Sequence, residues 1–346
     1  MSDGLNIISL FSGLGGLDLG LKAAGHKIII QIENDPYCIE TLTKNWNQTP
    51  IIPKDITKVS GSEILNTGNI NIKEIDLIVG GPSCQPFSRS NEGKRKGIKD
   101  GRGLMIFEFA RIIEELKPKA FIMENVAGLI SSNRGEDFKK LVDIFKLKLR
   151  YDIKYKILNA ADYGVAQKRK RLFIIGFKER VNFTFPLPTH GTNIKPYVSV
   201  NKVIGDLDDG IVFDSSESIG GKYGHLINEI PPGKNYLHYT EEAGHPNPIF
   251  KNRSRFWPFL LKLDPEQPST TIQAQPWNSV GPFHWNNRRL TLAEIKRIQG
   301  ISDDYYISGN NMNNQNIYNS PAWMQVGNAV PPKLGEVIGQ CVAKEI

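Results

Sequence analysis

Short apolar runs alternate with stretches of helical spacing along the first half of the chain. The apolar runs, which predict β-strands, are residues 6–11, 27–32, 75–79, 120–123, 154–159 and 172–177. Apolar residues spaced three and four apart predict helices at 17–24, 36–45, 105–116 and 136–149. This alternation of strands and helices is typical of an α/β fold of the doubly wound kind.

The pattern changes between about residues 185 and 283, where proline, glycine and aromatic residues are frequent and helical periodicity fades. This texture indicates a separate, irregular lobe. Helical spacing returns at 290–299, and a last helix with proline in its first turn is expected at 332–343. We therefore expect a main domain at 1–184, a smaller domain at 185–285 and a segment at 286–346 that completes the main domain.

Composition and charge narrow the class of protein only slightly. The 346 residues are enough for a substantial core, and the net charge of +7 suits a polyanionic partner. Three scattered cysteines, Cys38, Cys84 and Cys341, argue against a zinc site or a disulfide framework and favour a reducing compartment. The chain shows no signal-peptide pattern and no apolar run of roughly 20 residues, so we expect a soluble, intracellular protein.

Cys84 lies in the turn-forming run 80–88, directly after the apolar run 75–79. In open parallel sheets the functional crevice lies beyond the carboxyl ends of the strands, where glycine and proline allow the backbone to turn sharply. Cys84 is therefore a candidate nucleophile. A buried, inert cysteine is the alternative for this segment taken alone.

The glycine-rich run 11–17 follows the first predicted strand, as a nucleotide-binding loop does. A dinucleotide fingerprint would place its third glycine where Asp18 stands, so a nicotinamide cofactor fits poorly. Glu33 ends the second strand and is placed to bind ribose hydroxyls, while Asp55 is placed to bind an adenine amino group. Either carboxylate, taken alone, is more often an ordinary surface or capping group.

Two more segments place polar groups beside predicted strands. Glu124 lies near the end of the run 121–126, and the basic cluster 167–171 precedes the run 172–176. One cleft could gather these groups with Cys84. Taken singly, Glu124 is equally suited to capping a helix, and the basic cluster is equally suited to a solvated turn.

Taken in order, the motifs resemble the DNA (cytosine-5)-methyltransferase family, in its bacterial restriction-modification form. They are the runs 11–17, 80–88, 121–126, 167–171 and 325–332. The resemblance leaves out only about 185–285, and it implies a Rossmann-like, S-adenosylmethionine-dependent domain with a smaller target-recognition domain. Ser83 and Ala166 depart from the family pattern, which commonly has proline there, but neither change removes a reactive group.

The resemblance implies transfer of a methyl group from S-adenosylmethionine to carbon 5 of cytosine, with S-adenosylhomocysteine as the product. Cys84 would attack carbon 6 as a thiolate, and Glu124 would stabilise the charge that develops on the ring. Arg171 would hold the base oxygen and orient Glu124. Arg169 is the other arginine of the implied catalytic set and would lie nearer the DNA backbone. The residues implied to line the cofactor pocket are Phe11, Gly13, Gly15, Gly16, Leu17, Glu33, Asp55, Ile56, Asn328 and Val330.

The implied substrate is a short, specific sequence in double-stranded DNA, from which the target cytosine must be flipped out to reach a thiol in a cleft. We expect the stretch 85–103 to close over the flipped base, with Gln85, Ser88 and Arg102 on the DNA together with Arg169. The protein is expected to act as a monomer at the nucleoid in the bacterial cytoplasm, without a metal or a membrane. A cognate restriction endonuclease is a compatible partner that forms no stable complex.

Two other functions stay open at this point. A relative of the family methylates transfer RNA with the same motifs, although its recognition lobe is shorter than the one expected here. The other alternative is a catalytically silent DNA-binding or regulatory member. Such a member would be expected to lack Cys84 or Glu124, and both are present.

Overall fold

The structure is a computed structural model that describes residues 4–82, 104–212, 219–276, 278–309 and 320–346. By packing, the chain forms two compact units. Unit 1 comprises Met1–Asn159, Lys170–Leu187 and Ala329–Ile346, and unit 2 comprises Ala160–Arg169 and Pro188–Asn328. The boundaries predicted at 184/185 and 285/286 delimit a region that was assigned to target recognition. Packing alone does not test that assignment, so the boundaries stay a prediction.

Unit 1 is built on a sheet that has seven strands in the described residues, in the order β3-β2-β1-β4-β5-β7-β6. Neighbouring strands from β3 to β5 pair in parallel, whereas β7 is antiparallel to both β5 and β6. This mixed α/β sheet confirms the predicted fold class. The strands are β1 (Asn6–Leu10), β2 (Lys27–Ile32), β3 (Ile51–Ile52), β4 (Leu77–Gly80), β5 (Ala120–Val126), β6 (Asp152–Asn159) and β7 (Lys170–Phe177).

The helices lie between the strands of unit 1, within unit 2 and in the C-terminal segment. They are α1 (Gly16–Ala23), α2 (Pro36–Asn45), α3 (Gly61–Gly68), α4 (Leu104–Leu116), α5 (Glu136–Asp143), α6 (Val200–Ile204), α7 (Leu292–Gln299), α8 (Pro321–Asn328) and α9 (Pro332–Val342). The helix predicted at 136–149 is shorter than expected, because α5 passes into a π-helical turn at Ile144–Lys148. Among the described helices, none is long and apolar enough to cross a membrane.

Local chemistry explains where several helices begin. The Asp35 side chain accepts hydrogen bonds from the amides of Tyr37 and Cys38, and Pro36 fits the first turn of α2 because its missing amide needs no partner there. Thr291 and Glu294 form a reciprocal capping box at the start of α7, and Gly300 ends that helix in a left-handed conformation.

The central strands are buried on both faces, which explains their unbroken apolar runs. Ile78 and Phe121 are fully buried. The ring of Phe109, on α4, packs edge-to-face against Phe121 at a centroid distance of 5.9 Å. The core of unit 1 therefore lies between the middle of the sheet and α4.

The helix α9 packs against α1 inside unit 1, at positions where only glycine fits. A Cβ atom added to Gly20 would lie 1.9 Å from the Pro332 carbonyl oxygen, and one added to Gly335 would lie 2.6 Å from the Leu17 carbonyl oxygen. The backbones of the two helices are thus in direct contact. This contact returns the C-terminal segment to the first helix of the unit.

Unit 2 has little regular structure beyond α6, α7 and α8. Its aromatic and aliphatic cluster includes the buried rings of Tyr236, Tyr239 and Phe283. Short 3-10 turns such as Gly224–Glu229 and Tyr236–Tyr239 surround the cluster. The irregular texture expected from the sequence is thus present in this unit.

Candidate active site

The sheet order places β1 next to β4. From this point the chain adds β2 and β3 on one side of the sheet and β5 on the other side. At such a switch point the connections after the two central strands diverge and leave a crevice at the carboxyl edge. The loop after β1 carries the glycine-rich run, and the chain after β4 leads to Cys84. The predicted site residues Cys84, Gln85, Ser88 and Arg102 lie outside the described residues.

The loop after β1 turns sharply through three residues in the left-handed region. These are Phe11, with φ of 54°, Gly13, with 56°, and Gly15, with 87°. A large side chain in this region is strained, and such strain is concentrated at functional sites. A Cβ atom added to Gly13 would meet no described atom within 4 Å, so the loop leaves open space on that side.

Glu33 at the end of β2 is bound by the backbone around it. Its Oε2 atom accepts a hydrogen bond of 2.7 Å from the Gly13 amide, and its Oε1 atom accepts bonds from the amides of Asn34 and Asp35 at 2.8 and 2.9 Å. These bonds couple the carboxylate to the glycine loop. An ionised carboxylate has about four acceptor positions, so it retains capacity for a ligand hydroxyl.

Asp55 caps the short 3-10 helix Ile56–Lys58 that follows β3. Its Oδ1 atom accepts hydrogen bonds from the Thr57 amide at 2.9 Å and the Thr57 hydroxyl at 2.7 Å. The hydroxyl bond is the main cause that lowers the pKa of Asp55. Arg111 of α4 holds the same turn by donating to the carbonyl oxygens of Ile56 and Val59, both at 2.9 Å.

Of the last motif, Val330 joins the glycine loop within unit 1. A Cβ atom added to Gly16 would lie 2.4 Å from the Val330 carbonyl oxygen, and the neighbouring Leu17 is buried. Asn328 ends α8 in unit 2, where it is exposed. The structure thus brings most of the predicted cofactor residues to the carboxyl edge of β1, β2 and β3, while Asn328 is described with unit 2.

Glu124 on β5 forms an ion pair with Arg171 on β7, with 2.8 Å between Oε1 and Nε. The antiparallel register sets Glu124 opposite Phe173, so Arg171, two residues along β7, lies on the same face of the sheet. Both side chains are largely buried, with 11% and 13% of their surface exposed. The predicted acid and its predicted partner are therefore in direct contact.

Glu124 also faces the end of β4. A Cβ atom added to Gly81 would lie 2.9 Å from the Glu124 Oε2 atom, so this glycine makes room for the carboxylate. The next residue on β5, the buried Asn125, donates a hydrogen bond of 3.3 Å to the Pro82 carbonyl oxygen. Asn125 thereby fixes the chain two residues before Cys84. The sequence signal for this role is an amide directly after Glu124, near the end of a strand that is apolar up to that point.

Arg169 belongs to unit 2 and is 1% exposed. Its Nη1 atom donates to the Ile272 carbonyl oxygen at 3.0 Å, and its Nη2 atom donates to the Gly327 carbonyl oxygen at 2.7 Å. A phosphate group must approach a guanidinium from solvent, so this burial favours a structural role. The catalytic role and the DNA contact that the sequence suggested for Arg169 stay predictions.

Asp18 is a buried carboxyl group under the glycine loop that sequence reasoning did not assign to the site. It accepts a hydrogen bond of 2.7 Å from the Ser9 hydroxyl on β1 and another of 2.7 Å from the Gln31 amide nitrogen on β2. The Ser12 hydroxyl of the loop donates in turn to Ser9 at 2.9 Å. Burial raises the pKa of Asp18 to about 6, although the two hydrogen bonds oppose the rise.

Because folding raises the pKa of Asp18, we expect this residue to contribute more to the free energy of unfolding at acidic pH than at neutral pH. In the unfolded chain the carboxyl group ionises near its ordinary pKa of 3.8, whereas in the folded protein it ionises near 6. The folded state therefore binds more protons between these values, and the contribution of Asp18 to the free energy of unfolding falls by roughly 3 kcal/mol as the pH rises through that window.

Asp18→Asn is expected to remove this pH dependence without a large loss of stability at pH 7. The Gln31 Oε1 atom has no hydrogen-bond partner among the described residues, so a flip of that amide would let it accept from the new asparagine. Asp18→Ala would instead leave Ser9 and Gln31 without their partner. Chemical denaturation of the wild type and both variants at pH 4.5, 5.5 and 7 checks this. The prediction is contradicted if the free energy of unfolding changes with pH by the same amount in the wild type and in Asp18→Asn.

Comparisons with known proteins agree with one another. The family model described as C-5 cytosine-specific DNA methylase matches residues 5–344. Type II methyltransferase M.SacI of Streptomyces achromogenes is 35% identical over 381 aligned residues, which cover 100% of this chain and 94% of that protein. Type II methyltransferase M.NgoPII of Neisseria gonorrhoeae is 32% identical, over 99% of this chain and 96% of its own length.

Two solved structures show the same fold over nearly the whole chain. A candidate DNA modification methyltransferase encoded within a prophage (E. coli) has a TM-score of 0.68 at 25% identity, and 99% of each chain is covered. The Dnmt2 methyltransferase of S. pombe has a TM-score of 0.63 at 15% identity, and the comparison covers 98% of each chain. At that identity the second likeness concerns the fold alone.

Proposed function

The chain belongs to the C-5 cytosine-specific DNA methylase family, and we propose that it methylates one cytosine in a short double-stranded DNA sequence through a covalent bond to Cys84. Its relatives are named Type II methyltransferases, so the activity is that of a restriction-modification DNA (cytosine-5-)-methyltransferase. The observation that carries the proposed mechanism is the Glu124–Arg171 pair, which faces Gly81 at the end of β4.

The covalent step begins when the Cys84 thiolate attacks carbon 6 of the cytosine. A carbon–sulfur bond forms, the ring double bond breaks, and its electrons make carbon 5 nucleophilic. Negative charge would develop toward ring nitrogen 3, where Glu124 donates a hydrogen bond or a proton. Arg171 binds the Glu124 Oε1 atom. The Oε2 atom lies toward Gly81, which is three residues before Cys84 in the sequence.

S-adenosylmethionine supplies a methyl group on a positively charged sulfur, which is an electrophile for carbon 5. The residues at the carboxyl edge fit this cofactor, because the left-handed turn at Gly13 leaves open space and Glu33 retains acceptor capacity beside it. Glu33 would bind the ribose hydroxyls, and Asp55 would accept a hydrogen bond from the adenine amino group. After transfer, a base such as water takes the proton from carbon 5, and the electrons of that carbon–hydrogen bond re-form the double bond between carbons 5 and 6. The carbon–sulfur bond breaks and releases the Cys84 thiolate, and a proton given to ring nitrogen 3 returns to Glu124.

The target base has to leave the duplex before Cys84 can reach it, so we include base flipping in the proposal. Gln85, Ser88 and Arg102 are proposed DNA contacts on sequence grounds. The protein would act as a monomer in a bacterial cytoplasm beside a restriction endonuclease of the same specificity. Residues 185–285 are proposed to form the target-recognition domain.

The rival substrate is transfer RNA. Likeness to Dnmt2 structures at 15% and 16% identity concerns the fold and carries no substrate. Relatives at 35% and 32% identity over almost the whole chain are named as Type II enzymes, and this favours DNA.

The test is transfer of labelled methyl from S-adenosylmethionine to unmethylated plasmid DNA and to transfer RNA, by the wild type and by Cys84→Ala. Bisulfite sequencing then locates the methylated cytosines. We expect Cys84-dependent methylcytosine at one recurring DNA sequence. Labelling of RNA alone would assign the enzyme to the RNA-modifying relatives, and activity that survives in Cys84→Ala would exclude the covalent route.

A further inference from the structure

Two adjacent aromatic residues of unit 2 are unusually exposed. Phe256 is 62% exposed and Trp257 is 61% exposed, although the unit has a buried aromatic cluster beside them in the chain. Removing such apolar surface from water is favourable, and large apolar side chains exposed together are typical of a binding surface.

The backbone on both sides of this pair is fixed to the buried cluster. The buried Tyr236 hydroxyl donates to the Arg255 carbonyl oxygen at 2.9 Å and accepts from the Arg255 amide at 3.3 Å. The buried Asn235 donates to the Trp257 carbonyl oxygen at 2.8 Å. Phe256 and Trp257 are therefore presented on an anchored backbone, so a ligand that binds them has less conformational entropy to remove.

The surface around the pair is positively charged. From residue 243 to residue 263 the chain contains four basic residues and no aspartate or glutamate. Of these, Lys262 is buried, whereas Lys251, Arg253 and Arg255 are exposed.

Two exposed cations, Lys222 and Arg255, lie over rings at the aromatic cluster. The Arg255 guanidinium lies 6.0 Å from the centroid of the Tyr223 ring, and the exposed Lys222 amino group lies 5.3 Å from the same ring. Within the ranges that the structure describes, none of Lys222, Lys251, Arg253 and Arg255 has a carboxylate within ion-pair distance. Exposed aromatic rings among cations without acidic partners match a ligand that has flat apolar faces and a phosphate backbone.

We propose that Phe256 and Trp257 are the aromatic contact of this enzyme with DNA. Their rings insert from a groove between neighbouring base pairs and partly unstack that step, while Lys222, Lys251, Arg253 and Arg255 face the phosphates. The proposal rests on the proposed function, because it takes double-stranded DNA as the substrate. It assigns the aromatic contact to residues 251–257 of unit 2.

The test compares the wild type with the double variant Phe256→Ala/Trp257→Ala and with Leu147→Ala, which alters an apolar side chain that is 68% exposed in unit 1 and lies outside residues 185–285. The measurements are the affinity for linear fragments of unmethylated plasmid DNA, the affinity for S-adenosylhomocysteine, the thermal unfolding temperature and the KM for DNA. We expect the double variant to bind DNA roughly 10- to 100-fold more weakly, with cofactor affinity and unfolding temperature unchanged. Leu147→Ala is expected to behave as the wild type.

A second variant, Lys251→Gln/Arg253→Gln, probes the phosphate contacts separately. We expect the slope of log affinity against log salt concentration to become shallower by nearly two, because each lost phosphate contact changes it by about 0.9. The proposal would be overturned if both double variants had the same DNA affinity and the same KM for DNA as the wild type. It would also be overturned if the variants differed from the wild type only in how the protein associates with itself. A wild type that methylates no DNA would instead refute the proposed function.

Discussion

Glu124→Gln is expected to lower the rate of methyl transfer by roughly 10²- to 10⁴-fold, the usual contribution of a positioned acid. Glutamine fills the same volume beside Gly81, but it cannot give a proton to the cytosine ring. Cofactor affinity should stay at the wild-type level, because most residues proposed to bind the cofactor lie beyond the carboxyl ends of β1, β2 and β3 rather than on β5. The measurement is single-turnover methyl transfer at saturating DNA and cofactor.

Glu114→Gln is the matched control, since Glu114 is a half-exposed carboxylate of α4 whose ion pair with Lys148 is remote from the sheet edge. It should retain wild-type rates. A Glu124→Gln enzyme that keeps more than a tenth of the wild-type rate would show that the carboxyl group only orders the end of β4. In that case Arg171, its ion-pair partner, would also lose its proposed role.

Gly20→Ala is expected to destabilise unit 1 by about 3 kcal/mol or more. The new methyl carbon would lie 1.9 Å from the Pro332 carbonyl oxygen and 2.6 Å from the Glu336 amide nitrogen. Both are backbone atoms of the α9 segment, so no side chain can move aside and the two helices must separate. The higher helix propensity of alanine, worth about 1 kcal/mol, is too small to offset this. Denaturant unfolding measures the loss.

Gly68→Ala is the control for this substitution. Gly68 lies in the last turn of α3, where an added Cβ meets the flexible side chain of Ile70 at 3.2 Å. We expect its stability to stay within about 1 kcal/mol of the wild type. Because Gly16 and Val330 meet at the same interface, Gly20→Ala should also weaken cofactor binding. Unchanged unfolding of Gly20→Ala would mean that α1 and α9 are not closely packed.

Periodicity was sufficient to predict the regular elements of unit 1 that are long or strongly apolar, and it failed for the short ones. The strand β3 has two residues, and α3 has eight with a polar first turn, so neither has a clear apolar repeat. Periodicity also carries no information on strand order. The antiparallel pairing of β7 with β5 depends on tertiary contacts, and that pairing is what brings Arg171 to Glu124.

For the site, the sequence predicted residue types better than it predicted their partners. Glu33 and Asp55 lie at strand ends as expected, yet their bonds to Gly13 and Thr57 follow from loop conformations that no spacing rule specifies. Arg169 and Arg171 look alike in the basic run. Arg169, however, is buried and donates hydrogen bonds to two backbone carbonyl oxygens, whereas Arg171 binds the Glu124 carboxylate. Which neighbour a charged side chain meets is decided by the fold.

The contact between α1 and α9 has a consequence for how the enzyme is made. The ribosome completes α1 about 300 residues before α9, which at about 5–20 residues per second is roughly 15–60 seconds. During that time the surface of α1 around Gly20 is not yet covered by α9. All of unit 2 is synthesised in the same interval. The glycine loop after β1 therefore gains its contact with Val330 only after unit 2 has been synthesised.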